Sequence, residues 1–443
     1  MAEAERVCRH ILSVDPGHAQ TLHLLGLIEH QRGRSEDAIE HIRTAITRDG
    51  PDPAYHHNLG NILRSRGRLA EAMTCYERAL ALAPGSVDTL YNLANTCQDL
   101  GQPERAIGYF ERALRLSPDA IELHNNLGSA QQDLGRLDEA IACYRKALAL
   151  RPDAVETLDN LAGALRAQGQ LDMAQASYER ALALRPNRVE SHIGLGVVLR
   201  DQGRLEEAVA RHQQALALAP DHPEARSNLG IALVDLGRPE EALAHYKRAL
   251  AVQPDRAEMH YNLGNALQRQ GRYAEALACY GRALGLKPDY AQAHLNRSLA
   301  LLLTGELDEG WQKYEWRFAV NVYDRKFDRP LWSGEPLAGA SILIHAEQGL
   351  GDTLQFVRYI PAVAARGARV VLEVPASLVR LARTVAGASE VVTAGDPLPN
   401  FDCHCPLLSL PRVFKTNLAT IPHAVPYLRV PAEASAAPRS KTS

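Results

Sequence analysis

The chain has 443 residues, and its 49 lysines and arginines are nearly cancelled by 52 aspartates and glutamates. That length exceeds one ordinary domain core unless the architecture is a repeat, and near neutrality leaves no electrostatic footprint for nucleic acid or an anionic membrane. Partners are therefore expected to be proteins or neutral polymers. Seven cysteines in such a length do not make a disulfide framework, and Cys75, Cys143 and Cys279 sit at one repeat position two or more repeats apart, beyond bridging reach. No apolar run approaches the roughly 18 residues of a membrane span, and charges interrupt MAEAERVCRHILSV where a signal peptide has its apolar region. A reducing, cytoplasmic setting is expected.

Pro84, Pro118, Pro152, Pro186, Pro220, Pro254 and Pro288 recur at a strict interval of 34, with Pro16 in phase and Gly50 in the missing place. Seventeen residues before each lies a glycine, a series running from Gly33 to Gly271 and continued in phase by Gly305. Glycine supplies the positive φ that ends one helix, and proline, without an N–H, closes a second, so each period is a helix hairpin. Apolar residues run between these marks at helical spacing, as in Leu59 and Leu63, then Ala72, Tyr76 and Ala79. Gly60, Ala72 and Ala79, with counterparts Gly128, Ala140 and Ala147 or Gly264, Ala276 and Ala283, let two backbones approach while Tyr76, Tyr144 and Tyr280 fill the groove beside them.

The Asn-Leu-Gly triplet at 58–60, Ala72, the aromatic Tyr76, Ala79 and Pro84 resemble the tetratricopeptide repeat position by position. The resemblance covers eight complete units over 19–290, with 1–18 similar to the second helix of a further unit. It implies a mainly α fold, a right-handed solenoid whose ends are candidates for self-association, and a face that binds protein. A degenerate ninth unit, 291–324, has Arg297 and Ser298 in place of the Leu-Gly pair, and Gly310 and Arg317 in place of the helix-crossing alanines; it reads as an adaptor.

Counting each unit from the residue 31 before its closing proline, positions 2, 6, 9 and 13 share one face of the first helix, and that face is polar. Position 6 is Asn58, Asn92, Asn126, Asn160, Asn228 and Asn262, with Asn296 in phase; Leu24 and Gly194 break the series. A solvated face or a local cap would explain any one of them, yet asparagine is a mediocre helix former and Glu, Lys or Gln would solvate a helix better. A carboxamide both donates to and accepts from a peptide backbone without regard to side-chain identity. The resemblance to superhelices of the O-linked N-acetylglucosamine transferase kind implies that these seven residues line a concave groove holding an extended polypeptide. Glu122, Glu156, Glu190, Glu224 and Glu258 flank the series, either as an acidic rail favouring basic or Ser/Thr-rich segments or simply for solubility.

All three tryptophans and five of six phenylalanines lie beyond residue 310, so a different domain is expected over 325–430. ASILIHAE and ARVVLEV read as buried strands, DTLQFVRYIPAVAAR between them as one amphipathic helix, and SLVRLARTVAG and SEVVTAG as the continuing alternation of an α/β Rossmann-like half-domain. In the turn EQGLGD, Gly349 and Gly351 would let backbone N–H groups approach a ligand, or simply make a tight strand-to-helix turn. Leu354 occupies the third glycine's place and argues against a dinucleotide site. In DCHCP, Cys403, His404 and Cys405 alternate faces and lack a second cluster, so no metal is expected.

LIHAEQGLGDTLQFVRYIPAVAARGARVVLEV, with GWQKYEWRF and FDCHCPLLSLP, resembles the opening of heptosyltransferase-like glycosyltransferases of GT-B fold that follow tetratricopeptide repeats in bacterial proteins. That resemblance implies a general-base role for Asp352 near an acceptor hydroxyl; N-capping of the following helix is the alternative. It also implies a nucleotide sugar as donor substrate and no other cofactor, with the donor-binding half expected to be missing and a disordered tail over 431–443. Three readings stay open: a peptide-binding scaffold with an acceptor-like half-domain, a protein O-glycosyltransferase completed by another chain, and a structural spacer.

Overall fold

The computed structural model describes residues 2–320, 325–347 and 349–429. The helix Ala2–Val14 precedes nine hairpins among the described residues, from Ala19–Gln31 with Ser35–Asp49 to Ala291–Leu303 with Leu307–Tyr314. Glycines at the hairpin bends all take positive φ, as at Gly67 (72°) and Gly135 (70°), and a Cβ at either would meet nothing within 4 Å. They are there for backbone conformation, not for close packing. Residues before the closing prolines are forced out of the helical region: Ala83 lies at φ −133°, ψ 78° and Arg151 at φ −136°, ψ 94°. No helix among the described residues is long and apolar enough to cross a membrane.

The chain divides into two compact bodies, 1–232 and 233–443. In the N-terminal body Ala72, Ala79 and Tyr76 are wholly buried, and a Cβ on Gly60 would come within 2.6 Å of the Tyr76 ring. Gly128 meets Tyr144 at the same 2.6 Å. Here, unlike at the bends, the missing side chain makes room for a ring. Where Ala162 stands in place of that glycine, the ring of Tyr178 reaches instead toward the next unit. A Cβ on Gly194 would lie 2.3 Å from its Cζ. The break in the asparagine series at 194 therefore coincides with the place where the Tyr178 ring lies, and a side chain there would have to displace that ring.

In the unit that begins at Val189, His212 takes the tyrosine's place against Gly196, 1% exposed, and neither ring nitrogen has a partner. Burial, helped by Arg200, lowers its pKa to about 4. Since the unfolded pKa is near 6.5, the unfolded chain takes up a proton that the folded one refuses, and stability falls as pH drops from about 6.5 towards 4. Phe110 fills the equivalent groove without a polar atom. His212→Phe is therefore expected to stabilise this unit by about 1–3 kcal/mol and to flatten its pH dependence, read as slower hydrogen exchange across Leu205–Leu218.

In the C-terminal body Gly264 and Tyr280 repeat the same packing. Four parallel strands follow the ninth hairpin: β1 (Ser341–His345), β2 (Arg369–Val374), β3 (Ala388–Thr393) and β4 (Cys403–Pro406), in the spatial order β3-β2-β1-β4. Ile342, Leu343 and Ile344 of β1 and Val370, Val371 and Leu372 of β2 are completely buried, as strands covered on both faces must be. The single helix expected over 352–366 is instead two short ones, Leu350–Phe356 and Ile360–Ala364, joined by a 3-10 turn. Pro361 is the cause, because it has no N–H to donate back to the carbonyl four residues earlier, at Val357, where the first helix ends; Ile360 itself stays helical, at φ −56° and ψ −44°. The tail expected over 431–443 lies outside the described residues.

Leu295, Leu302 and Trp311 of the ninth hairpin pack into the core beneath this sheet. Arg317, at a position that holds alanine in regular repeats, is 1% exposed. Its guanidinium donates to both oxygens of Glu347 (2.8 and 3.1 Å), to Glu315 (2.7 Å), and to Ser409 Oγ (2.7 Å). Burial opposes its charge, but the two carboxylates outweigh burial and raise its pKa further. The departure from the repeat pattern is therefore a buried clamp between the last hairpin and the end of β1.

Candidate functional site

The asparagines lie half-buried on the first helices, and most are tied to the preceding unit. In the N-terminal body Asn92 Nδ2 donates to Asn61 Oδ1 (3.0 Å), and Asn126 Nδ2 donates to Asn95 Oδ1 (3.0 Å) and Tyr91 Oη (3.2 Å). Asn160 Nδ2 donates to Asn125 Oδ1 (3.1 Å), and Asn58 Nδ2 contacts His23 Nε2 (2.9 Å). The C-terminal body repeats the arrangement: Asn296 Nδ2 donates to Asn265 Oδ1 (2.8 Å) and Tyr261 Oη (3.1 Å). Partners stand at fixed offsets, 31 and 35 residues earlier, because these are the positions a neighbouring first helix presents. For Asn228 those positions are Val197 and Ile193, which offer no acceptor, and neither Asn228 nor Asn262 has a side-chain hydrogen bond among the described residues.

This geometry divides the labour of each amide. Nitrogens brace adjacent repeats, while the Oδ1 atoms of Asn58, Asn92, Asn126, Asn160 and Asn296 accept no hydrogen bond among the described residues and are not sealed from solvent. Asn126 and Asn296 use both N–H groups while Asn58, Asn92 and Asn160 use one each, so an open acceptor oxygen is what these five share. Bracing through positions 5 and 9 was the missed feature. Its signal was present in the recurrence of Asn61, Asn95 and Asn265 in phase with the series. The glutamate rail is partly neutralised: Glu156 binds Arg185 (3.0 Å) and Arg188 (3.5 Å), Glu122 lies 3.7 Å from Arg151, and Glu190 lies 3.8 Å from Arg188.

Asp352 lies elsewhere, in the third position of the helix Leu350–Phe356. The N-cap is Gly349, which has φ −57°, and no side chain caps the helix, so capping by Asp352 is corrected. Gly351 falls within the first turn, and a Cβ there would meet nothing within 4 Å. Neither glycine is required by positive φ. The Asp352 carboxylate accepts no hydrogen bond among the described residues and borders a cavity of 610 Å³. Leu299, Leu303, Leu307, Trp311 and Phe356 supply apolar walls, and Gln355 and Arg358 join Asp352 on the polar side. Arg358 is held in place by Tyr427, whose Oη accepts from its Nη2 at 3.0 Å. Cys403 and Cys405 are buried free thiols, and the described residues contain no group of three or more metal-ligating side chains.

Comparison with known proteins places the helical array. The tetratricopeptide repeat models match residues 19–52, 53–119, 119–187, 188–255 and 257–290. Protein FlbA of Caulobacter vibrioides is 40% identical over 65 residues, which are 14% of this chain and 11% of that protein. A tetratricopeptide repeat protein from Parabacteroides merdae superposes with a TM-score of 0.51 at 19% identity, over 56% of this chain and 98% of that one. YrrB, described as a tetratricopeptide repeat protein with an unusual peptide-binding site, gives a TM-score of 0.33 at 24% identity, over 42% of this chain and 95% of its own. By its period, its hairpin packing and the family models that together span residues 19–290, the chain belongs to the tetratricopeptide repeat family.

Proposed function

We propose that this chain is a protein-interaction scaffold that holds an extended polypeptide along its asparagine series, with the carboxamide oxygens of Asn58, Asn92, Asn126, Asn160, Asn228, Asn262 and Asn296 accepting peptide N–H groups. The observation that carries this reading is the orientation of the amides: the nitrogens of Asn58, Asn92, Asn126 and Asn160 in one body and of Asn296 in the other engage the preceding repeat, and their oxygens accept nothing among the described residues. A purely structural brace needs the nitrogen only at those units where an acceptor precedes it. Asn228 has no such acceptor and is still asparagine.

Each bond contributes about 0.5–1.5 kcal/mol net, so a single Asn126→Ala change is expected to weaken peptide binding only a few-fold. Replacing Asn58, Asn92, Asn126 and Asn160 together by alanine is expected to weaken it by about 30-fold or more on the same arithmetic. Fluorescence anisotropy with labelled extended peptides measures this. Asn61→Ala with Asn95→Ala is the control, since it removes braces while leaving the acceptor oxygens. Unchanged affinity in the fourfold variant would sink the reading.

A second reading is sugar transfer to a hydroxyl of the bound segment, with Asp352 as general base, Gly349 and Gly351 in the turn beside it and a nucleotide sugar as donor. The strand order β3-β2-β1-β4, all parallel, supports a Rossmann-like half-domain, and a carboxylate without a hydrogen bond among the described residues, beside a cavity, supports a base. Calorimetric titration with UDP-N-acetylglucosamine tests it. Absence of binding leaves the scaffold reading alone.

A further inference from the structure

Position 13 of the first helix is polar in seven of the eight earlier units (Gln31, Ser65, Asp99, Asp133, Asp201, Asp235 and Arg269, against Ala167), whereas position 9 varies, with Asn61, Asn95, Ser129 and Asn265 in four units and Leu27, Gly163, Val197 and Ile231 in the others. In the ninth unit position 13 changes character to Leu303, 63% exposed, and position 9 is Leu299, 37% exposed. Position 6 of that same helix is still Asn296, with its amide braced as elsewhere. An exposed leucine at a position that is polar in seven of the eight earlier units needs a reason. Leu299 and Leu303 both line the 610 Å³ cavity, so the asparagine face runs directly into an apolar pocket one helical turn beyond Asn296.

The geometry points to this cavity as the receptor for one bulky apolar side chain, leucine or phenylalanine, of the polypeptide held by the asparagine series. The inference rests on the peptide-binding reading and adds sequence selectivity to it. Volume agrees: pockets of about 300–1,000 Å³ take compact organic groups, and this one holds a large side chain with its flanking backbone. Chemistry agrees as well. Trp311 and Phe356 give flat apolar walls, and the Asp352 carboxylate at the polar side suits a neighbouring lysine, arginine or backbone N–H of the same segment. Amides that recognise only backbone cannot choose a register along a peptide. One anchoring side chain can.

The test uses the full chain and fluorescein-labelled peptides of a serine, glycine and lysine background, each with a single central alanine, leucine or phenylalanine. Expected is tighter binding of the leucine and phenylalanine peptides than of the alanine peptide by at least ten-fold, with the difference abolished by Leu303→Glu. In a parallel arm, a diazirine analogue of leucine at the central position is expected to crosslink to Leu299, Leu303, Trp311 or Phe356, read by mass spectrometry. Equal affinity for the three peptides, or crosslinks confined to other residues, overturns the pocket assignment while leaving peptide binding intact. No saturable binding of any peptide overturns both. Leu299→Met preserves the apolar wall and is expected to retain the preference, so a loss caused by misfolding is separable from a loss of the pocket.

Discussion

Arg317→Ala is expected to destabilise the C-terminal body by about 3–5 kcal/mol, because it strands the Glu347 carboxylate, whose side chain is 1% exposed, without its counter-charge. Burial already raises the pKa of Glu347 in spite of the guanidinium beside it. Without Arg317 the carboxyl would have to take up a proton or unfold its surroundings. Leu408 N, at 3.3 Å, would remain as a donor, and one long backbone bond does not offset an isolated charge. Glu315 is less affected, since 23% of its side chain is exposed and Arg412 stands 3.5 Å away. The double change Arg317→Met with Glu347→Gln leaves no unpaired charge and is expected to recover most of the loss. Urea unfolding followed by tryptophan fluorescence measures this body specifically, because Trp311, Trp316 and Trp332 all belong to it. A loss below about 1 kcal/mol for the single variant would show that the clamp is not a structural tie.

Residues that act through a local period were legible in the chain. Gly67 and Pro84 mark the ends of their helices because positive φ and a missing N–H are properties of those residues alone, whatever surrounds them. Tyr76 against Gly60 was legible for the same reason: both sit at fixed offsets within one hairpin. Features that depend on two segments meeting were not. Asn126 looks identical whether its nitrogen faces a ligand or Asn95, and only the relative placement of adjacent helices decides. Gly194 looked like a gap in a series, but it is where the Tyr178 ring from the previous unit lies. Arg317 looked like decay of the repeat, although its partners Glu347 and Ser409 stand 30 and 92 residues away. The break at Pro361 was a local signal overridden by the amphipathic pattern around it. Asp352 was singled out by its turn, yet the leucines that make a cavity beside it come from the other side of the domain boundary drawn at residue 325.

Acidification is expected to loosen the same body through two buried histidines. His345, at the end of β1 and 1% exposed, has Nε2 at 3.2 Å from His404 Nδ1 on β4, and the Phe327 ring lies against both. Burial lowers the pKa of His345 to about 3, with His404, Arg325 and Arg317 adding repulsion, and burial also lowers that of His404. Both imidazoles thus have folded values below the unfolded value near 6.5, and between the two the unfolded chain binds protons that the folded one does not. Their contribution is complete above about pH 6.5 and is lost as pH falls, for His345 by roughly 1.4 kcal/mol per pH unit while its imidazole stays neutral, and His404 acts in the same direction. Carboxylates complicate the profile below about pH 5, so the informative range is pH 6.5 to 5. The backbone N–H of Trp332 donates to the His404 carbonyl at 2.8 Å, which ties a fluorescent residue to this pair. His345→Gln is expected to reduce the pH slope of the urea midpoint over that range even if it lowers stability at pH 7. An unchanged slope would assign the acid sensitivity to other groups and leave the histidine pair as ordinary packing between β1 and β4.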